Sequence, residues 1–138
     1  MMPDKNLMFW DDNTTWTGAP SDSYALAVTG KDEFRAGEPV ELIIAVTTVA
    51  GGTFNIDINL VTASASNLTT NQAIQKTLFD GITALAVGTY KFAFNMPVAD
   101  ADATHIGLDV VVNSGTVTGL VASAWLQRPG DEQHTIND

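Results

Sequence analysis

A strict alternation of apolar and polar side chains is the feature of this sequence that most constrains its fold. In residues 54–60, a phenylalanine, two isoleucines and a leucine occupy every second position, and asparagine and aspartate fill the positions between them. Successive side chains of a β-strand point to opposite faces of its sheet, so this pattern places one face in a core and the other in water. Residues 90–96 and 106–112 alternate in the same way. The pattern predicts three half-buried strands.

Two further segments, residues 40–46 and 117–126, are apolar on both faces, which is typical of strands that lie between packed layers or face another subunit. Weaker strands are expected at residues 23–28 and 75–79, although residues 73–78 also carry the spacing of a short helix. Thr, Val, Ile, Gly and Asn are frequent, as in β proteins. We therefore predict an all-β fold, a single jelly-roll-like antiparallel β-sandwich of about seven or eight strands.

Turn-forming residues separate these segments. Gly51-Gly52 lies between the strands at residues 40–46 and 54–60, and Asn113-Ser114-Gly115 follows the strand at residues 106–112. Both turns predict hairpins, in which the flanking strands pair with each other. Residues 63–72, rich in Ser, Thr, Asn and Ala, are expected to form a long exposed loop.

The length of 138 residues suits one domain spanning residues 1–138. We expect residues 1–16 to be an N-terminal arm or first strand and residues 127–138 to be a polar tail. The absence of Cys excludes disulfides and thiolate chemistry, so packing alone must hold the fold. The N-terminal residues resemble no signal peptide, and we expect synthesis in the cytoplasm.

The charge balance limits the partners. Six Lys and Arg against 16 Asp and Glu give a net charge of −10. Such a chain is repelled by phosphate backbones and anionic lipid, so we expect no nucleic-acid partner and no membrane partner.

Residues able to perform chemistry are few. Neither His105 nor His134 lies in a catalytic motif, and we expect no enzyme activity, no cofactor and no metal. Asp100, Asp102 and Thr104 could supply oxygen ligands to a hard cation, but a solvated loop explains them as well. A second polar group, on one face of the strand at residues 54–60, could bind sugar or calcium or could simply be the wet face of a sheet; it comprises Asn55, Asp57 and Asn59.

Aromatic and large apolar residues cluster near the N-terminus, where they must be covered by the chain's own sandwich or by a partner. Trp and Phe are favoured anchors of protein interfaces. The candidate residues for contact with a partner protein or with another subunit are Leu7, Met8, Phe9, Trp10, Trp16, Ile43 and Trp125.

The order of segments resembles the bacteriophage capsid cement (decoration) protein family typified by a Bordetella podophage. The resemblance is one of pattern over nearly the whole chain, and the Gly37-Glu38-Pro39 start of an apolar strand is its most family-like piece. The other pieces are residues 4–9, 11–12, 40–46, 52–58 and 115–119.

The resemblance implies a jelly-roll domain without catalytic residues that binds the outer surface of an HK97-like major capsid protein shell. It implies a homo-oligomer, dimer or trimer, that stabilises the virion by bridging capsomers. The expected partners are the major capsid protein and further copies of the chain, and the expected location is the outside of the virion. The alternative is a carbohydrate- or receptor-binding β-sandwich module, which would use Asn55, Asp57 or Trp16 for ligand contact.

Overall fold

A computed structural model describes residues 8–14, 16, 24–25, 36–49 and 51–129, with only the backbone described for residues 13, 24 and 25. Within these ranges the chain is entirely strands and turns, as predicted. None of the described residues belongs to a helix long and apolar enough to cross a membrane. The strands are β1 (Met8–Asn13), β2 (Tyr24–Ala25), β3 (Pro39–Thr48), β4 (Phe54–Ala63), β5 (Ala73–Ile82), β6 (Gly88–Asn95), β7 (His105–Gly115) and β8 (Val121–Gln127).

The strands form two four-stranded antiparallel sheets. The first sheet has the order β1-β8-β3-β6, and the second has the order β2-β7-β4-β5. Two interlocked Greek keys generate this order, which is that of an eight-stranded jelly roll. The predicted fold class is confirmed.

Both predicted hairpins are wrong. β3 lies in the first sheet and β4 in the second, and β7 and β8 are divided in the same way. Among the described strands only β4 and β5 are neighbours both in sequence and in a sheet. A Gly-rich turn indicates where a strand ends, but it does not determine whether the next strand pairs with it or crosses to the other layer.

The β3–β4 and β7–β8 connections, which cross from one sheet to the other, pair with each other instead. The amide of Gly51 donates to the carbonyl of Thr118 at 2.6 Å, and the amide of Thr118 donates back to Gly51 at 3.1 Å. The amide of Thr116 donates to the carbonyl of Thr53 at 2.9 Å. The ladder between β4 and β7 therefore continues through residues 51–53 and 116–118 toward the ladder between β3 and β8. We call these paired connections the corner ribbon.

One apolar core lies between the sheets. Val40, Leu42, Ile44 and Val46 of β3 face it from the first sheet, and alternate residues of β4 and β7 face it from the second. The alternation seen in the sequence thus corresponds to the two faces of each strand. Among the described residues, the largest fully buried side chains are Phe9, Leu42, Ile43, Ile44, Ile56, Ile58, Leu60, Leu68, Ile106, Leu108 and Leu120.

The limits of several predicted strands change. β5 spans Ala73–Ile82, so residues 73–78 form a strand and not a helix. The strand predicted at residues 117–126 begins only at Val121, because residues 116–118 belong to the corner ribbon. Of the strand predicted at residues 23–28, only Tyr24–Ala25 lies within the described residues.

One glycine in the corner ribbon and one just beyond it provide a test of this arrangement. Gly52 has a φ of +83°, and a Cβ built there would lie 2.6 Å from the Thr116 carbonyl oxygen. Gly119 has a similar φ of +74°, but nothing lies within 4 Å of its would-be Cβ. We expect Gly119→Ala to lower the free energy of unfolding by about 1–2 kcal/mol, the cost of the left-handed conformation.

Gly52→Ala should lower the free energy of unfolding more than Gly119→Ala does, because the paired backbones must also move apart. Urea denaturation of both variants measures the difference. Equal losses would show that the two connections do not approach each other as closely as described.

Candidate functional site

The aromatic cluster near the N-terminus lies inside the domain. Phe9, Trp10 and Trp16 are 2%, 4% and 3% exposed and belong to the core between the sheets. The indole Nε1 of Trp16 donates to the carbonyl of Leu120 at 3.2 Å. Trp10 and Trp16 pack edge to face with ring centroids 4.7 Å apart. In this conformation their side chains offer almost no surface to another chain, and an interface role for them stays a prediction.

Of the remaining candidate contact residues, two occupy less buried positions. Met8 and Trp125 are half-buried and lie opposite each other in the β1–β8 pair. Trp125 donates from Nε1 to the Oε1 of Gln127 at 3.0 Å. Ile43, which pairs with Trp125 across β3 and β8, is only 2% exposed. Leu7 lies outside the described residues. Trp125 and Met8 are therefore the candidates best placed to reach a partner.

The polar face of β4 belongs to the outer surface of the second sheet. The Asn113 amide nitrogen donates to the Oδ1 of Asn55 at 2.9 Å and to the Oδ1 of Asp57 at 3.1 Å. Asp57 also accepts from the Gly81 amide at 2.6 Å. Asn59, two residues further along β4, is 5% exposed. These side chains connect β7, β4 and β5, so the polar row fastens the sheet together.

A segment that we call the cover loop, residues 64–72, folds over the rest of this face. Leu68, at its centre, is fully buried and forms a small second core with Val61 and Ala63 of β4. The prediction of a long exposed loop at residues 63–72 is therefore wrong at Ala63, which ends β4, and at Leu68. Leu68 is buried because the outward side chains Val61 and Ala63 are apolar and need an apolar partner away from the main core.

Hydrogen bonds close the cover loop onto itself and onto the sheet. The Ser64 amide donates to the Thr70 carbonyl at 2.9 Å, and the Gln72 side chain donates to the Leu68 carbonyl at 2.9 Å. The Asn71 side chain donates to the Oδ1 of Asp102 in the β6–β7 connection at 3.2 Å. The loop is thus a structured part of the domain.

The possible cation ligands form hydrogen bonds within the β6–β7 connection and to β4; they are Asp100, Asp102 and Thr104. Asp100 accepts the amide of Asp102 on Oδ1 at 2.8 Å, and the backbones of Asp100 and Ala103 bond to each other. The amide of Thr104 donates to the Ala63 carbonyl at 2.9 Å. Among the described residues, no group of three or more His, Asp or Glu side chains is placed to hold a metal ion.

One carboxyl group on the covered face has an altered pKa. Burial of Asp109 raises its pKa above the ordinary value of 3.8, and a hydrogen bond from the Gln72 side chain opposes the rise. Asp109 pairs with Asn59 across β7 and β4. Gln72, at the end of the cover loop, supplies the hydrogen bond that favours the charged form of the Asp109 carboxyl group.

One of the two histidines lies within the described residues. His105 begins β7, and its Nδ1 lies 2.9 Å from the hydroxyl oxygen of Thr104. His134 lies outside the described residues. Within the described ranges, no carboxylate is shown in contact with His105. Its surroundings are those of a residue at the start of a strand.

Sequence reasoning missed Leu68, Gln72 and Asp109. A signal for Leu68 exists, because it is the single large apolar residue in residues 64–72. No local signal identifies Gln72 or Asp109, because their contact joins a loop to a strand 37 positions away in the chain.

Comparison with protein-family models, with curated proteins and with solved structures finds no match to this chain. The class of the protein is therefore defined by its own architecture, a jelly roll in which the outer polar row on β4 is hydrogen-bonded within the sheet.

Removing the Leu68 side chain tests the cover loop. We expect Leu68→Ala to lower the free energy of unfolding by about 2–4 kcal/mol, because a fully buried leucine is replaced by a cavity. Leu68→Met, which keeps the volume, should cost less than about 1.5 kcal/mol. Urea denaturation measures both. A loss below that of Leu68→Met would show that the loop does not pack on the sheet.

The pH dependence of Asp109 follows from the direction of its pKa shift. Since the folded state raises this pKa, the stability contributed by the protonated form is full below the unfolded pKa and is lost as the pH rises through the folded pKa. At neutral pH the buried charge is a net cost. Asp109→Asn should therefore be slightly more stable than the wild type at about pH 7, and this advantage should disappear below about pH 3.8.

Urea midpoints of wild type and Asp109→Asn across this pH range measure the difference, with Asp80→Asn as a control on an exposed carboxyl. An advantage for Asp109→Asn that grew toward acid pH would contradict the assignment.

Proposed function

We propose that this chain is a bacteriophage capsid cement protein. It binds the outer surface of an HK97-like major capsid protein shell as a homo-oligomer and stabilises the virion by bridging capsomers. It is made in the host cytoplasm and joins the particle from outside. In this role it performs no reaction, and its partners are the shell protein and further copies of itself.

The observation that carries the proposal is the jelly-roll order of the two sheets, together with the sequence pattern that resembles the cement family. Jelly rolls serve in viral capsids, but also in lectins and in cupins, so the fold alone does not decide between these roles. The side chains of the outer polar row support the capsid role over the lectin role. The polar groups that a lectin would present are engaged in bonds within the domain.

The carbohydrate-binding alternative loses support on this geometry. Sugar-binding sites commonly present an accessible aromatic face beside polar groups, whereas Trp16 is 3% exposed. Asn55 and Asp57 are held by Asn113 and Gly81. Binding a sugar there would require breaking the bonds that join three strands.

Stabilisation by such a protein follows from mass action. A subunit that binds the assembled shell but not its separated parts stabilises the assembly by about 2.7 kcal/mol per site when its concentration is 100 times its dissociation constant. Contacts to two capsomers at once make the second contact intramolecular, which raises the effective affinity without new interactions. A rigid domain suits this role, because little conformational freedom remains to be lost on binding.

The net charge of −10 is compatible with an outer location. Packaged nucleic acid would repel this domain, while the outside of the shell places it in solvent. The charge also keeps free copies apart before they bind.

Addition of the purified protein to expanded capsids that lack it tests the proposal. We expect stoichiometric binding, measured by co-sedimentation, and a higher capsid disruption temperature, because only the assembled lattice binds the protein. Unexpanded capsids and heat-unfolded protein serve as controls. Failure to bind any expanded capsid would refute the proposed function, and binding to a glycan array would favour the alternative.

A further inference from the structure

One end of the sandwich is formed by connections that contain no charged residue. The backbone registers place the end of β3 beside the starts of β6 and β8, and the end of β7 beside the start of β4. β5 also ends here, next to the start of β4. In the described part of the chain, the connections at this end are residues 49, 51–53, 83–87 and 116–120, which we call the neutral end. They contain no Asp, Glu, Lys, Arg or His.

The opposite end of the sandwich is charged. Glu38 and Arg128 form an ion pair there at 3.3 Å, and Asp100 and Asp102 lie in the β6–β7 connection. The other Asp, Glu, Lys and Arg residues that the structure describes all belong to strands; they are Asp11, Asp12, Glu41, Asp57, Lys76, Asp80, Lys91 and Asp109. On a chain of net charge −10, the neutral end is therefore set apart from the rest of the described surface.

Apolar side chains are exposed at the neutral end. Val49 and Val87 are 56% and 60% exposed. Both lie just beyond the last pair of β3 and β6, which is Val46↔Gly88. The cores of protein interfaces are depleted in charged residues relative to the rest of a protein surface. In its lack of charge and its exposed valines, the neutral end resembles such an interface core.

The connections of the neutral end are held in place from within the domain. Leu85 and Leu120 are 3% and 0% exposed and insert into the main core. The Tyr90 hydroxyl donates to the carbonyl of Ala86 at 2.8 Å, and the corner ribbon adds its backbone hydrogen bonds. A partner that binds here therefore meets an ordered surface, so little conformational entropy is lost on binding.

We infer that the neutral end binds the neutral end of a second copy of this chain. A positively charged partner would be attracted to the acidic parts of the domain instead. The neutral end is the surface open to a partner that is itself acidic, and a second copy with its net charge of −10 is such a partner. Two copies that meet here about a twofold axis bring no charge from the described connections into the contact. Their charged ends then lie on opposite sides of the pair.

The inference goes beyond the proposed function, which names further copies as partners without naming a surface. The net charge opposes every other approach of two copies, so the dimer forms through this one end and is weak in dilute solution. The test uses the purified chain without capsids. Failure of the inference therefore leaves capsid binding to be judged by its own experiment.

Sedimentation velocity of the full chain measures the contact. We expect a monomer–dimer equilibrium as the protein concentration rises to about 0.5 mM, a range that detects dissociation constants up to about 1 mM. Raising the NaCl concentration from about 0.05 M to about 0.5 M should leave the dimer unchanged or strengthen it, because salt screens the repulsion between the remaining acidic groups. A chain that stays monomeric, or a dimer that salt dissociates, would overturn the inference.

Val87→Glu, with Val98→Glu as its matched control, locates the contact. Val98 is 69% exposed and lies in the β6–β7 connection at the charged end, so the two variants carry the same net charge. In a twofold contact Val87→Glu brings two carboxylates into the interface. We expect Val87→Glu to weaken dimerisation by at least about tenfold and Val98→Glu to change it by less than about twofold. Equal effects of the two variants would contradict the assignment of the surface.

Val49→Glu provides a second position and keeps the test decisive if Val87→Glu fails to fold. Val49 lies in a different connection of the neutral end, and we expect the same loss of dimerisation from it. Urea denaturation of each variant checks that it is folded, which the exposure of both valines favours. If instead the chain is monomeric and either variant abolishes its binding to expanded capsids, the neutral end contacts the shell and the inference is overturned.

Discussion

The backbone pairing between the two connections that cross from one sheet to the other is the contact on which the rest of this fold depends. Gly51 and Thr118 exchange both of their backbone hydrogen bonds, and Thr116 donates to Thr53. Through these bonds the β4–β7 ladder leads toward the β3–β8 ladder. Two long ribbons thereby fold over as one unit, so the sheets are stacked with their apolar faces together. Glycine at positions 52 and 115 permits the approach, since a Cβ at either would strike the Thr116 or Thr53 backbone.

Once the sheets are stacked, polar groups on the outside are used to hold strands and loops. Asn113 ties Asn55 to Asp57, and Leu68 inserts over Val61 and Ala63 under the cover loop. A chain without Cys has no covalent alternative, so such contacts carry the rigidity that the proposed role requires. If the chain bridges capsomers as proposed, these internal bonds limit how far the domain deforms.

Much of this fold could be predicted because the period of two in the sequence is a local property. The strands at residues 54–60, 90–96 and 106–112 and the jelly-roll class follow from it. The pairing partners of the strands do not follow from it, because Gly51-Gly52 can end a strand equally well before a hairpin or before a connection to the other sheet. The aromatic cluster illustrates the same limit at the candidate site. Composition shows that Trp10 and Trp16 must be covered, but only the packed structure shows that the domain itself covers them.

Amide hydrogen exchange measured by NMR tests the corner ribbon most directly. If the two connections pair as described, the amides of Gly51, Thr116 and Thr118 exchange slowly, with protection approaching that of the β4 and β7 amides in the same global unfolding unit. Exchange of these three amides at the rate of exposed loop residues, while β4 and β7 stay protected, would contradict the account.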